Sequence, residues 1–99
     1  MDVLCYEWDE EKNRSNQQKH GISFQEAATV FEDEHALLID DPDHSLTEER
    51  FIFLGISQKA RLLVVCHCYR SADLHIRIIS ARKATRKESD TYAQHAPGR

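Results

Sequence analysis

Residues 77–88, Arg77-Ile-Ile-Ser-Ala-Arg-Lys-Ala-Thr-Arg-Lys-Glu88, join an apolar strand to the start of a helix through a short basic linker. Thr85 and Glu88 have the spacing of a capping box, so a helix is predicted to begin here. The cations of the linker and of the first helical turn are Arg82, Lys83, Arg86 and Lys87. Cations in a first helical turn oppose the helix dipole, and a bound anion would remove that conflict. The stretch therefore predicts a phosphate site; the alternative is a solvated basic surface.

The remaining elements follow from hydrophobic periodicity and capping signals. Predicted strands cover residues 3–8, 36–39, 50–56, 62–70 and 74–81, and predicted helices cover residues 9–20, 24–32 and 85–94. The last three strands are expected to form an antiparallel meander. The order β-α-α-β-β-β-β-α segregates helices from strands and predicts one α+β domain over residues 1–99, with helices packed on one face of an antiparallel sheet.

The first two helices carry local signals of different kinds. Residues 9–20 begin at the N-cap residue Asp9 and end before Gly21, yet the helix is polar almost all round. Its Asn and Lys side chains are therefore expected either to bond inward or to lie in an interface. In the second helix, Ser23 and Glu26 form another capping box.

Charge is distributed unevenly along this chain of net charge −4. Residues 1–49 hold 3 Lys/Arg against 14 Asp/Glu, and residues 50–99 hold 10 against 3. A basic half indicates an acidic partner such as nucleic acid. Because no apolar run is long enough for a membrane helix and no signal segment is recognisable, a cytoplasmic protein without membrane contact is predicted. Three cysteines, an odd number, indicate reduced thiols.

The hairpin formed by the last two strands predicts a cluster of polar side chains. A three-residue loop at 71–73 would set His67 opposite Arg77 and Tyr69 opposite His75. The same register would put Cys66, Cys68, Ile76 and Ile78 together on the core face. The alternative is an ordinary half-exposed sheet face with polar residues pointing outward.

This predicted cluster has the residue types needed for phosphate chemistry. Imidazole transfers protons near neutral pH, and the guanidinium of Arg77 stabilises charge on a phosphate oxygen. Arg50 would add a cation from the start of the next strand. The run Cys66-His67-Cys68 is not expected to hold a metal, because strand alternation points His67 away from both thiols. We expect no metal and no cofactor.

The chain also resembles the BrnT toxins of bacterial type II toxin–antitoxin systems over residues 6–92. The matching residues are Trp8-Asp9, Lys12, Asn16, Lys19-His20-Gly21-Ile22-x-Phe24, Glu49-Arg50-Phe51, Gly55, Ile78-Ile79-Ser80-Ala81-Arg82-Lys83-Ala84 and Arg86-Lys87-Glu88. The resemblance implies a RelE-like fold and an RNA endonuclease that arrests translation without a metal. It also implies a BrnA-like antitoxin, which wraps the toxin and binds operator DNA through a ribbon-helix-helix domain.

The resemblance suggests roles for the basic residues and leaves other functions open. RNA phosphates would be contacted by Arg50, Arg77, Arg82, Lys83 and Arg86, with Lys87 beside them. From the predicted strand geometry, and not from the resemblance, His67 or Tyr69 would assist proton transfer. The alternatives are a toxin that binds a protein such as DNA gyrase without cutting RNA, an inactive relative that binds only its antitoxin, and a non-toxic nucleic-acid-binding domain. A homodimer or a hetero-oligomer with the antitoxin is expected.

Overall fold

The computed structural model describes residues 5–40, 50–70 and 75–95. In chain order, the elements are β1 (Cys5–Glu7), α1 (Glu10–His20), α2 (Phe24–Thr29), a 3₁₀ helix (Val30–Glu32), β2 (Leu37–Asp40), β3 (Phe51–Ile56), β4 (Leu62–Arg70), β5 (His75–Lys83) and α3 (Arg86–His95). The predicted second helix is thus divided into α2 and a 3₁₀ turn. The fifth strand continues two residues further than predicted.

The five strands form one sheet in the order β1-β5-β4-β3-β2. Strands β2 to β5 pair antiparallel with their neighbours in sequence, which confirms the predicted meander of β3, β4 and β5. The short first strand instead pairs parallel with β5, with Glu7 opposite Arg77. The fold is mixed α+β, with a chain-terminal strand placed at the edge of an otherwise antiparallel sheet.

Helix α1 is held to the sheet by buried asparagines. The N-cap carboxylate of Asp9 accepts from the Glu11 amide at 2.8 Å, as predicted. The side-chain amide of Asn16 donates to the carbonyls of Ile22 and Ala81, each at 2.8 Å, and its oxygen accepts from the Ala81 amide. Asn13 Oδ1 accepts from the Phe24 amide at 2.9 Å. The two asparagines of this polar helix therefore bond inward, which satisfies buried backbone groups.

Apolar cores lie on both faces of the sheet. On one face, α1 and α2 cover a cluster that includes Phe24, Leu63 and Ile78. On the other face, Tyr92 of α3 packs with Leu54 and Val64. The prediction that the helices pack on one face is therefore wrong. Strands β3 and β4 carry apolar residues on both faces, so each face needs a cover.

The second predicted capping box forms only in part. Ser23 Oγ accepts from the Glu26 amide at 3.1 Å. The Glu26 carboxylate does not return to the helix start but accepts from Ser57 Oγ at 2.7 Å and from Arg61 Nε at 2.9 Å. The hydrogen bond from Arg61 holds the pKa of Glu26 below its usual value. This nearly buried carboxylate thus ties α2 to the β3–β4 connection.

Gly55 provides a test of how closely the 3₁₀ helix approaches the sheet. A Cβ at this position would lie 2.9 Å from Val30 Cγ1 and 2.9 Å from Ala36 Cβ. Gly55→Ala is therefore expected to lower the free energy of unfolding by about 2 kcal/mol, as overpacking does elsewhere. Urea unfolding measures this change. The exposed strand variant Ser80→Ala should stay within about 0.5 kcal/mol of the wild type, and equal stability of all three proteins would contradict the close approach.

Candidate functional site

The register of the β4–β5 hairpin differs by one residue from the prediction. Arg70 lies opposite His75, Tyr69 opposite Ile76, and Cys68 opposite Arg77. The predicted register is wrong, and the predicted loop at 71–73 lies outside the described residues. Because side chains alternate along a strand, a shift of one residue exchanges the faces. The four residues predicted to cluster are therefore divided between the two faces of the sheet.

A β-bulge shifts the register once more along β5. His67 lies opposite Ile78, but the neighbouring Cys66 lies opposite Ser80, so Ile79 is the additional residue. A bulge changes which residues of a strand share a face. As a result, Arg77 and Arg82, an odd and an even position, lie on the same face of the sheet, the one that α3 covers in part.

His67 and Tyr69 lie on the α1/α2 face, within a group of aromatic rings. The His67 ring is 4.8 Å from that of Phe31, 5.1 Å from that of Tyr69 and 5.9 Å from that of Phe53. The His67 side chain has no exposed surface. Burial lowers its pKa to about 4, although Nδ1 lies 3.3 Å from the Val65 carbonyl oxygen. Contact between aromatic rings, rather than polarity, therefore explains which face His67 occupies.

His75 and Arg77 lie on the opposite face, beside a carboxylate that the sequence analysis missed. Glu7 Oε2 accepts from Arg77 Nη1 at 3.0 Å and lies 3.9 Å from Arg70 Nη1. The side chains of Glu7 and Arg77 are about one third exposed, and that of Arg70 is 56% exposed. We call Glu7, Arg70, His75 and Arg77 the arginine cluster. It places a carboxylate between two guanidinium groups within reach of solvent.

His75 and Arg50 are the further cation-forming side chains in or next to this cluster. His75 lies two residues before Arg77 and shares its face, and His75 Nδ1 is buried without a hydrogen-bond partner among the described residues. Arg50 directly precedes β3, where Phe51 pairs with His67. If this pairing continued by one residue, Arg50 would face Cys68, the partner of Arg77, and would add a cation beside the cluster.

The predicted capping box at the start of α3 is confirmed. The Thr85 amide donates to Glu88 Oε1 at 2.8 Å, and the Glu88 amide donates to Thr85 Oγ1 at 3.2 Å. Both Glu88 oxygens also accept from Arg82, at 2.8 and 2.9 Å. The Arg82 guanidinium lowers the pKa of Glu88 to about 2. The anion that the basic stretch requires is thus supplied by the chain itself, and Arg82 is already paired.

The other cations of the stretch lie far from the arginine cluster. Lys83, Arg86 and Lys87 are exposed, at the far end of β5 and in the first turn of α3. Six residues of extended strand separate Lys83 from Arg77, which corresponds to about 20 Å. The structure therefore does not join the predicted phosphate-binding residues and the predicted catalytic residues into one site.

Glu88 supports two interactions that substitution can separate. Glu88→Gln keeps a capping-box side chain but loses the ion pair with Arg82, and is expected to lower the free energy of unfolding by less than about 1 kcal/mol. Glu88→Ala loses both interactions, with an expected loss of about 1–2 kcal/mol. Urea unfolding at pH 7 compares them. Equal losses would show that the cap contributes nothing beyond the ion pair.

The described residues form neither a metal-binding group nor a membrane-spanning helix. Within residues 5–40, 50–70 and 75–95, no group of three or more His, Cys, Asp or Glu side chains is placed to hold a metal ion. Over the same ranges, no helix has the length and apolar character required to cross a membrane. Cys5, Cys66 and Cys68, all within the described residues, are not joined by disulfides.

Comparison with known proteins places the chain in a class of bacterial toxins. The family model described as "Ribonuclease toxin, BrnT, of type II toxin-antitoxin system" matches residues 8–88. A 1.1 Å crystal structure of the ribonuclease toxin BrnT from Brucella abortus shares the fold, with a TM-score of 0.66 and 20% sequence identity. The match covers 85% of this chain and all of that one. No curated protein sequence matches.

The class is therefore that of toxins from type II toxin–antitoxin systems, whose members have an antitoxin as partner. The chain belongs to the BrnT family of ribonuclease toxins.

Proposed function

We propose that this chain cleaves RNA at the arginine cluster without a metal ion and thereby arrests translation. The observation that carries the proposal is the contact of Glu7 with both Arg77 and Arg70 on a solvent-accessible part of the sheet. Guanidinium groups bind phosphate oxygens through paired N–H donors, and a carboxylate can take a proton. Family membership supports RNA as the substrate.

The proposed reaction is an internal transesterification. The ribose 2′-oxygen attacks the adjacent phosphorus, and the bond from phosphorus to the 5′-oxygen of the next nucleotide breaks. Arg77 and Arg50 stabilise the charge that accumulates on the phosphorane oxygens. The products are a 2′,3′-cyclic phosphate and a 5′-hydroxyl. Arg82, already paired with Glu88, has a smaller part in this scheme than the sequence suggested.

The remaining predicted site residues take other roles in this proposal. His67 and Tyr69 pack in the aromatic group on the opposite face, so they are not assigned proton transfer. The exposed cations Lys83, Arg86 and Lys87 bind the RNA backbone further along the strand, with a contribution that weakens as salt is added.

We propose further details of the biology on the strength of the family. The fold is of the RelE type, and the partner is a BrnA-like antitoxin that binds operator DNA on behalf of the complex. The toxin acts in the cytoplasm, as a homodimer or as a hetero-oligomer with its antitoxin. The basic second half of the chain supports contact with RNA, whereas the acidic first half offers a surface to a basic antitoxin segment.

Incubation of a defined RNA with purified, antitoxin-free protein in EDTA tests the proposal. Cleavage that yields 5′-hydroxyl ends, and that stops when the antitoxin is added, is the expected result. Cleavage that requires added Mg²⁺ would contradict metal independence. RNA that stays intact under both conditions would contradict a free-standing ribonuclease. It would favour a toxin that needs the ribosome or that binds a protein such as DNA gyrase.

A further inference from the structure

We propose that Glu7 and His75 are the two proton-transfer residues of this site, Glu7 as general base and His75 as general acid. The assignment rests on the proposed ribonuclease function. It adds Glu7, which the sequence analysis did not identify, and gives a role to His75, which belonged to the predicted cluster. Cleavage of RNA by its own 2′-hydroxyl requires removal of one proton and delivery of another, so two such groups are needed beside the phosphate.

Glu7 is positioned by strand pairing and by charge. Its parallel pairing with β5 sets it directly opposite Arg77, and its neighbour Tyr6 points to the other face, where it contacts Phe31. The carboxylate lies 3.0 Å from Arg77 Nη1 and 3.9 Å from Arg70 Nη1. A phosphate bound by Arg77 would therefore lie beside the carboxylate, and with it the ribose hydroxyl that must lose its proton.

His75 lies on the same face as Arg77 and on the same strand. It precedes Arg77 by two residues, so their Cα atoms are about 6.6 Å apart along the strand. Arg70 faces it from β4 and Cys5 faces it from β1. Its Nδ1 is buried and has no partner among the described residues. The residue as a whole is only half-buried, so the rest of its ring can meet a bound substrate. An imidazole in that position can give or take a proton.

The reaction balances with these two groups alone. The Glu7 carboxylate takes the proton of the 2′-hydroxyl as the bond from the 2′-oxygen to phosphorus forms. The imidazolium of His75 gives its proton to the 5′-oxygen as the bond from that oxygen to phosphorus breaks. Glu7 ends protonated and His75 ends neutral, and exchange with water restores both. Arg77 stays charged and holds the phosphate throughout.

No other described side chains serve the two roles as well. His67 has no exposed surface and lies on the opposite face. Glu88, a carboxylate on the same face, has both oxygens bound by Arg82. Among the described residues, the charged and titratable groups that face Glu7 and His75 are Arg70, Arg77, Cys5 and Cys68. The two arginines hold the Glu7 carboxylate in place beside the position of the phosphate.

Two RNA substrates separate the general acid from the general base. One has an ordinary phosphodiester, and the other has sulfur in place of the bridging 5′-oxygen, which leaves as a thiolate without needing a proton. Glu7→Gln is expected to slow cleavage of both substrates by about 10²–10³-fold. His75→Gln is expected to slow the ordinary substrate by a similar factor but to cleave the sulfur substrate within about tenfold of the wild-type rate.

Matched control variants show whether any loss of activity is specific to the arginine cluster. Glu11→Gln and His95→Gln change exposed groups of the same types outside the cluster and should match the wild type. Glu7→Asp should retain part of the activity. Wild-type rates from Glu7→Gln, or equal losses on both substrates from His75→Gln, would overturn the assignment while the ribonuclease function stands. A wild-type protein that cleaves neither substrate would contradict the proposed function and this assignment with it.

Discussion

Replacement of Arg77 by alanine is expected to slow RNA cleavage by about 10²–10³-fold, the usual loss when one donor to a developing oxyanion is removed. Arg77 connects the other members of the arginine cluster, because it binds Glu7 and lies on the same strand as His75. Single-turnover cleavage of a defined RNA measures the loss. The thermal unfolding temperature of the variant shows whether its fold is intact. An unchanged temperature would mean that the slower cleavage comes from lost chemistry and not from lost structure.

Two further variants test the role of the Arg77 guanidinium and the position of the site. Arg77→Lys keeps the charge but not the paired donors, so it should fall between alanine and the wild type. Arg86→Ala removes an exposed cation at the far end of β5 and should weaken RNA binding without changing the rate of the bound complex. If Arg86→Ala slowed the chemical step as much as Arg77→Ala, the site would lie at the basic linker rather than at the arginine cluster.

Acid is expected to destabilise the protein through His67. Its pKa is about 4 in the folded protein, below the ordinary 6.5, because burial disfavours the charged ring. Between these values the unfolded chain binds more protons, so stability falls as the pH falls from about 6.5 toward 4. The loss amounts to about 3 kcal/mol. Urea unfolding at several pH values between 7.5 and 4 measures it.

The variant His67→Phe isolates this effect from that of the carboxylates. Phenylalanine continues the ring packing with Phe31, Phe53 and Tyr69 but cannot take up a proton. The variant should therefore lose less stability than the wild type between pH 6.5 and 4. It should also retain RNA cleavage, since His67 lies away from the arginine cluster. An unchanged pH dependence would contradict the burial of a neutral imidazole, and an inactive folded variant would restore His67 as a catalytic candidate.

Local signals in the sequence predicted most of the secondary structure. The caps at Asp9 and Thr85 formed as expected, because a capping residue needs only the next three residues to complete its bonds. The antiparallel meander followed from short connections between apolar strands. Arg77 was predicted as a site residue from a hairpin register that is wrong. It contacts Glu7 instead of His67, and its part in a functional site stays a prediction.

Long-range pairing explains what the sequence did not predict. The one-residue register change depends on ring contacts of His67 with residues far along the chain, such as Phe31. Glu7 reaches the cluster only because β1 adds in parallel to the edge of β5. Helix α3 covers the second face because Tyr92 packs on Leu54 and donates to Asp33 at 2.6 Å. None of these contacts leaves a local pattern in the sequence.

The most direct test compares two variants on opposite faces of the sheet, Arg77→Ala and His67→Phe, with the wild type on one RNA in EDTA. If the reaction takes place at the arginine cluster, we expect 5′-hydroxyl products from the wild type and from His67→Phe, and a loss of about 10²–10³-fold for Arg77→Ala. Wild-type cleavage by Arg77→Ala, together with loss of cleavage in a folded His67→Phe, would contradict the arginine cluster as the site of reaction.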